Sequence, residues 1–329
     1  MNSPAFKSAR RLFAESPIAG PLATLIVVVA VCSIFVPNFF SWRSFAGIVN
    51  AATLTGVVTI GITLLMIAGE FDLSVGSLIA IGGYLYAFNT IGGGSPLLAI
   101  GLALLVPALL GALNGLLLTR IGIPSFIATL GTRSIYRGAV WLITGGILLQ
   151  TLEGPAIYSV FNGRLDTLAD LFKGANFRTS TLWLIGMVIL FQYLLTRTRF
   201  GNHVFAAGGN VGAAAAQGVN VKRVKVMNFV VSGLLAGLTG ILLFSQYKSV
   251  RVTTGAGEEL KAIAAAVVGG ALLSGGAGSI WGALIGVLLI SALRTAVVLL
   301  DFPADNFDAI VGVTIVGAVI LNRYVHSRA

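Results

Sequence analysis

Two carboxylates stand where charge is expensive. Glu70 and Asp72 lie in the run GEFDLSVGS, Gly69 to Ser77, within an otherwise uncharged stretch of about 75 residues. An ionisable pair in such apolar surroundings marks a lined cavity, a gate or a helix cap. Capping is the plainer reading, because Asp72 precedes Leu73 and its carboxylate can accept N–H bonds from the first turn of the next helix. The functional reading is solute contact or ion coupling, in which Glu70 or Asp72 carries a proton or sodium ion.

Other chemistry is thinly represented. His203 and His326 are the only histidines, both in charged, loop-like surroundings, and Cys32 is alone inside an apolar run. A Ser-His-Asp or Cys-His centre, an internal disulfide and a thiolate metal site are therefore not expected. No G-x-x-x-x-G-K-[ST] loop and no H-E-x-x-H motif occur, so neither a nucleotide-hydrolysing centre nor a metal site of those kinds is expected in the chain.

The elements that must position these residues are membrane spans. Of 329 residues, 57% are hydrophobic and 10% charged, against about 25% charged in a soluble domain. With a mean hydropathy of +0.96 there is too little polar surface to coat a globule of this size. The net charge of +10 suggests no nucleic acid, because the basic residues sit in the gaps between apolar runs and form no basic face. The expected fold is all-α and polytopic, with about ten transmembrane helices at roughly 20 residues each. The apolar runs cover Pro21 to Val36, Ile48 to Ala68, Leu73 to Thr90, Pro96 to Leu118, Phe126 to Leu149, Thr181 to Leu195, Val226 to Gln246, Leu260 to Leu273, Ile280 to Leu300 and Ala309 to Leu321. The run from Leu260 is short for a full crossing and ends in Gly269-Gly270, leaving open a re-entrant or broken helix.

Charge sets the expected orientation. With the N-terminus inside, eleven of the 21 Lys and Arg residues fall in cytoplasmic loops and seven outside, while eight of the 11 acids fall outside. Both termini are then cytoplasmic. Arg133, Arg137 and Arg294 remain in or near membrane-embedded helix. This divides the chain into a cytoplasmic segment 1–20, a membrane domain 21–322 and a tail 323–329. Within the membrane domain, 150–180 is a periplasmic loop with an amphipathic helix around Leu165 to Phe172, and 196–225 is a cytoplasmic loop. The latter holds an alanine-rich helix, Val211 to Gln217, stopped by Gly218 and too short to span. It is either a linker helix or a device that docks into a groove on a partner protein.

Glycines at four-residue spacing, Gly111 and Gly115, Gly233 and Gly237, and the row Gly278, Gly282 and Gly286, predict close helix packing in lipid. An inverted repeat is also suggested. Asp72-Leu73 is followed ten residues after the Asp by Gly82-Gly83, and Glu259-Leu260 ten residues after the Glu by Gly269-Gly270, with the copies starting on opposite sides.

Four segments in this order resemble the permease subunit of bacterial ATP-binding-cassette importers of the ribose, xylose and galactose type: GEFDLSVGS with IAIGG, Leu113 to Gly138, FGNHVFAAGGNVGAAAAQGVNVKRVKV, and Ala262 to Gly286. Phe71 departs from the small aliphatic usual in the first. The likeness covers about Phe45 to Leu321. It implies alternating access by two permease copies, identical or related, in the inner membrane. Separate cytoplasmic ATPase subunits would bind the ATP, this chain holding no cofactor or metal, and a periplasmic binding protein would deliver the solute. The alanine-rich helix becomes a coupling helix, with Gly208, Gly209, Asn210, Ala213, Ala214, Ala215, Ala216 and Gln217 inserting into the ATPase. Glu70, Asp72, Asn114 and Arg137 are the candidates for the substrate path or gate, although Asn114 and Arg137 could equally satisfy neighbouring backbone carbonyls. A pentose, hexose or polyol would fit this resemblance. The competing function is an ion-coupled secondary transporter using Glu70 or Asp72.

Overall fold

The computed structural model describes residues 18–172, 174–303, 309–313 and 316. The first apolar runs form α1 (Ala19–Phe35), α2 (Trp42–Ile67), α3 (Val75–Ile91) and α4 (Pro96–Leu116), the last continued by a π-helical turn, Leu117–Ile121. Then come α5 (Ser125–Thr144), two short helices α6 (Ile157–Asn162) and α7 (Asp166–Leu171), α8 (Ser180–Arg197), α9 (Arg199–Gly209), α10 (Val211–Ala216), α11 (Val221–Tyr247), α12 (Glu258–Val268) and α13 (Ile280–Leu299). A two-residue ribbon pairs β1 (Leu149–Gln150) antiparallel with β2 (Ser249–Val250), tying the end of α5 to the end of α11.

Among the described residues, five helices are long and apolar enough to cross a membrane: α2, α4 with its π turn, α8, α11 and α13; α1 and α3 are shorter apolar helices. The helices α2 and α11 form the centre, with 72% and 67% of their apolar windows buried, against 28% for both α4 and α8. The outer faces of α4 and α5 present Leu97, Leu105, Leu109, Ile135, Leu142 and Ile143, as a lipid-facing surface requires.

Glycine spacing decides how closely these helices meet. A Cβ at Gly111 would collide with the Phe229 carbonyl, and one at Gly233 with that of Pro107, so α4 and α11 cross backbone on backbone. Gly282 and Gly286 do the same for α13 against Gly269 and Ala265 of α12. Both rows serve packing, as their four-residue spacing predicts.

The repeat is visible in the pairing of elements. The long helix α11 lies on the α3–α4 hairpin, and the long helix α2 lies on the α12–α13 hairpin. The end of α2 meets residues near the start of α11, so the two long helices are antiparallel, as an inverted repeat requires. The copies differ after their glycine pairs: α3 continues past Gly82-Gly83 to Ile91, whereas α12 stops at Val268. At a rise of about 1.5 Å per residue α12 is roughly 16 Å long, half of a hydrocarbon core. Gly270, at φ +92°, turns the chain into the irregular segment 271–279, and the broken-helix alternative is the one observed.

Several boundaries shift from the sequence expectation. Helix α5 ends at Thr144 because Gly145 and Gly146 both take positive φ, and the remaining apolar residues feed β1. Helix α3 starts at Val75, two residues after the apolar run begins. A helix the composition hides, α9, precedes the alanine-rich one. The amphipathic helix expected around Leu165 to Phe172 is α7. Of the tenth apolar run only 309–313 and 316 are described; most of segment 1–20, Lys173 and the tail 323–329 lie outside the described residues.

Candidate functional site

The segment between α2 and α3 is non-helical yet enclosed by protein, so each of its N–H groups needs an internal partner. Gly69 and Glu70 use carbonyls of α2, and side chains of α5 serve two more. Phe71 N–H donates to Ser125 Oγ at 3.2 Å and Leu73 N–H to Thr129 Oγ1 at 3.1 Å, both on the first turns of α5. Asp72, with no exposed surface, accepts Ser74 N–H at 2.9 Å and the Ser74 hydroxyl at 2.6 Å through Oδ1, and the Ser232 hydroxyl of α11 at 3.2 Å through Oδ2. It therefore braces the residue before the helix rather than the helix's first turn. Asn114 Nδ2 of α4 donates to Ser74 Oγ at 2.8 Å, and the Tyr136 hydroxyl of α5 lies 3.0 Å from both Asn114 Oδ1 and the Leu110 carbonyl. One carboxylate thus joins the α2–α3 segment to α4, α5 and α11 through hydroxyl and amide groups. Asp72 and Asn114 are both fully buried in this lattice.

Glu70 points the other way along the segment. It is 6% exposed and forms an ion pair with Lys225 in the first turns of α11. Next to this pair three pieces of backbone converge. The Gly276 N–H donates to the Ile67 carbonyl at 2.8 Å. Gly208, at the end of α9, sits so tightly on the same carbonyl that a Cβ would collide with it and stand 2.8 Å from Gly276 N. Gly275, at φ +85°, has room for a Cβ only 2.9 Å from the Gly208 carbonyl and the Gly69 Cα. The end of α2, the end of α9 and the segment after α12 therefore move together or separate outright.

Beyond that junction the chain is exposed. Asn210 caps α10, its Oδ1 accepting Ala213 N–H at 2.9 Å. Ala213, Ala215, Ala216 and Gln217 face outward with Gly209 and Asn210, while Ala214 packs inward. Gly218 ends the turn at φ +82°, and the Asn220 side chain opens α11 by accepting Arg223 N–H at 3.0 Å. Val204 and Ala207 of α9 are buried, so this helix fastens the exposed α10 to the core.

Farther along α5 lies a second polar cluster. Arg133 forms an ion pair with Glu259 at 2.8 Å; the carboxylate is fully buried and the guanidinium 35% exposed. Arg137 Nη1 donates to the carbonyls of Val252 and Thr254, the latter at 3.0 Å, and so pins the loop that follows β2. Gly255, at φ +77°, lies in that loop against the Gly76 backbone of α3. Glu258 accepts the Thr55 hydroxyl of α2 at 2.9 Å through Oε2 and Lys261 Nζ at 3.0 Å through Oε1.

The sequence candidates are thereby separated. Glu70, Asp72 and Asn114 belong to one junction; Arg137 belongs to the other, farther along α5. Lys225, Ser232, Thr129 and Tyr136 escape sequence reading because each is far along the chain from its partner. A buried carboxylate demands a cation or donors, which is the one signal that points toward them. Among the described residues no group of three or more His, Cys, Asp and Glu side chains is placed to hold a metal ion.

Residues 44–319 match the family model described as branched-chain amino acid transport system / permease component. The chain is similar to the ribose import permease protein of Bacillus subtilis, 37% identical over 304 residues and 92% of each chain. It is 33% identical to the ribose import permease protein of Escherichia coli K12 over 324 residues, 96% of this chain and 97% of that one. It is 34% identical to the autoinducer 2 import system permease protein of Yersinia pseudotuberculosis over 303 residues, 92% of this chain and 83% of that one. No solved structure matches it.

Proposed function

The chain belongs to the permease-component family that its residues 44–319 match, a family of multi-pass inner-membrane proteins, and from that membership we propose that it is the membrane subunit of an ATP-binding-cassette importer for a sugar or sugar-like solute. In this reading the face bearing Arg197, Arg199, Lys222, Arg223 and Lys225 is cytoplasmic, and the loop 150–180 is periplasmic. ATP is bound by partner subunits, and a periplasmic binding protein delivers the solute to a pair of permease chains.

The observation that carries the mechanism is the Gly208 contact. The exposed α10, with Gly209, Asn210, Ala213, Ala215, Ala216 and Gln217 on its outer surface, is the part an ATPase groove would grip. One rigid route inward is α9, whose last turn rests on the Ile67 carbonyl beside Gly276. A push on α10 thus arrives at the end of α2, in one repeat, and at the segment after α12, in the other. From there the Glu70–Lys225 pair and the Asp72 lattice pass it to α11, α4 and α5. Displacing one repeat against the other in this way is how alternating access is produced.

The test exchanges residues 208–217 for a flexible Gly/Ser linker in the chain co-expressed with its cassette ATPase. The expected result is a folded chain that no longer retains the ATPase and no longer takes up solute. ATP hydrolysis by the native complex in nanodiscs should rise with liganded binding protein. Uptake that survives the exchange, or uptake by this chain alone driven by a proton or sodium gradient, refutes the proposal.

A further inference from the structure

Where α1 crosses α2 and α13 it leaves a groove of about 410 Å³ walled by hydrocarbon: Leu25 and Val29 of α1, Phe45 and Ile48 of α2, and Leu288 and Ala292 of α13. Leu25 is ten residues before the end of α1 and Leu288 eleven before the end of α13, so both walls run about 15 Å inward from the same end of the bundle. That is half of a hydrocarbon core, the depth of one leaflet. A second apolar groove, of about 700 Å³, continues round α1 over Ile26, Ala30 and Ser33 and shares Leu25, Val29 and Phe40 with the first.

The common mouth is of a different kind. Phe40 and Trp42 are exposed there, as side chains of the aromatic belt at a membrane surface are. From Ser41 and Trp42 the surface passes into a cavity of about 800 Å³ that is lined by Asn38 and Arg43. Arg43 is exposed, and among the described residues no acidic side chain pairs with it. The mouth also adjoins the 150–180 loop: Trp42 meets Phe172 at 4.4 Å between ring centres and Phe45 meets Phe177 at 6.1 Å. In the orientation proposed above, this is the outer leaflet.

These features together describe an occupant. Two adjoining hydrocarbon grooves, each open toward lipid, suit two acyl chains, and a cation at the mouth they share suits a phosphate. A free phosphate ion would leave both grooves unused. A zwitterionic headgroup brings its own cation to the mouth, whereas a net negative one keeps the whole attraction of Arg43. We propose that this site binds one diacyl glycerophospholipid with a net negative headgroup, its chains on either side of Val29 and its phosphate at Arg43. The bound chain then backs the Trp42 and Phe45 rings on which Phe172 and Phe177 of the outer loop rest. The inference needs only that the chain spans a membrane and stands apart from the importer reading.

The experiment uses the full chain in dodecylmaltoside, stripped of lipid and titrated with phosphatidylglycerol or phosphatidylcholine brominated on both acyl chains, which quench the tryptophans they touch. The signal of Trp42 is the difference between the native chain and Trp42→Phe. It should fall saturably, with half-quenching by phosphatidylglycerol at about fivefold lower concentration than by phosphatidylcholine, the attraction of one arginine for a net negative headgroup. Arg43→Gln should abolish that preference. Val29→Phe, which fills the wall both grooves share, should raise the half-quenching concentration of either lipid at least about tenfold, and Ile143→Phe on the exposed face of α5 should change neither. A native unfolding midpoint certifies folding, and the exposed Arg43 keeps the test decisive if Val29→Phe does not fold. Quenching that never saturates means annular lipid only and overturns the site. So does equal half-quenching by the two lipids in the native chain, a preference that survives Arg43→Gln, or native quenching in folded Val29→Phe.

Discussion

Gly208 and Gly209 are neighbours in the last turn of α9, and the structure predicts opposite responses to the same added methyl. At position 208 a Cβ meets the Ile67 carbonyl and lies 2.8 Å from Gly276 N, neither of which is a flexible side-chain end. At position 209 the nearest heavy atom to a Cβ is the Gly276 Cα at 3.9 Å, an ordinary contact. Gly208→Ala must push α9 off the end of α2 or break the Gly276–Ile67 hydrogen bond. Overpacking costs about 1–3 kcal/mol and the hydrogen bond about 1 kcal/mol. The gain in helix propensity on replacing glycine is at most about 1 kcal/mol and is shared by both variants, so it cancels in the difference. Gly208→Ala should therefore be about 1–3 kcal/mol less stable than Gly209→Ala. Reversible unfolding in mixed dodecylmaltoside–SDS micelles measures this, with unfolding followed by tryptophan fluorescence. Uptake by the assembled importer should be impaired in the first variant and near native in the second. Equal unfolding midpoints would show that the backbone junction is not tight, and the route from α10 to the core would lose its basis.

Asp72→Ala should destabilise by about 3–5 kcal/mol in the same assay, because three donors lose their acceptor inside protein. Asp72→Asn keeps an oxygen for Ser74 and should cost less than half as much; equal losses would mean the lattice is not held by those bonds. Lys225→Met should destabilise by about 3 kcal/mol by leaving Glu70 buried and unpaired, and the double variant with Glu70→Gln should recover most of it. Additive losses would refute the pairing. Asn210→Ala should loosen α10 by about 1 kcal/mol through its lost cap, seen as faster amide exchange at Ala213. Unchanged exchange there would mean that the cap does not hold the helix.

What the sequence could and could not disclose follows from the range of each interaction. Local signals were legible: glycine spacing announced the α4–α11 and α12–α13 contacts, Gly218 the end of the alanine-rich helix, and the Gly269-Gly270 pair the break after α12. Helix α9 was not, because Gly201, Asn202, Gly208 and Gly209 give it poor propensity; it is helical because Val204 and Ala207 dock on the core. The difference between Gly208 and Gly209 could not be read either, since it depends on a carbonyl 141 residues away in sequence. The polar sites divide in the same way. GEFDLSVGS advertised its two carboxylates, but what they do is decided by Ser232, Asn114, Lys225 and the α5 hydroxyls, none of them within 39 residues of Asp72. The polar cavity lined by Thr55, Tyr247, Glu258 and Arg294 was least legible of all, because it gathers residues of five separate segments that look like ordinary loop or helix-end chemistry alone. Arg294 was the one exposed clue. A charge in the middle of an apolar run must meet water or protein rather than lipid. If the two repeats move against each other, Arg294 on α13 and Thr55 on α2 cannot both keep their present distance from Glu258 on α12.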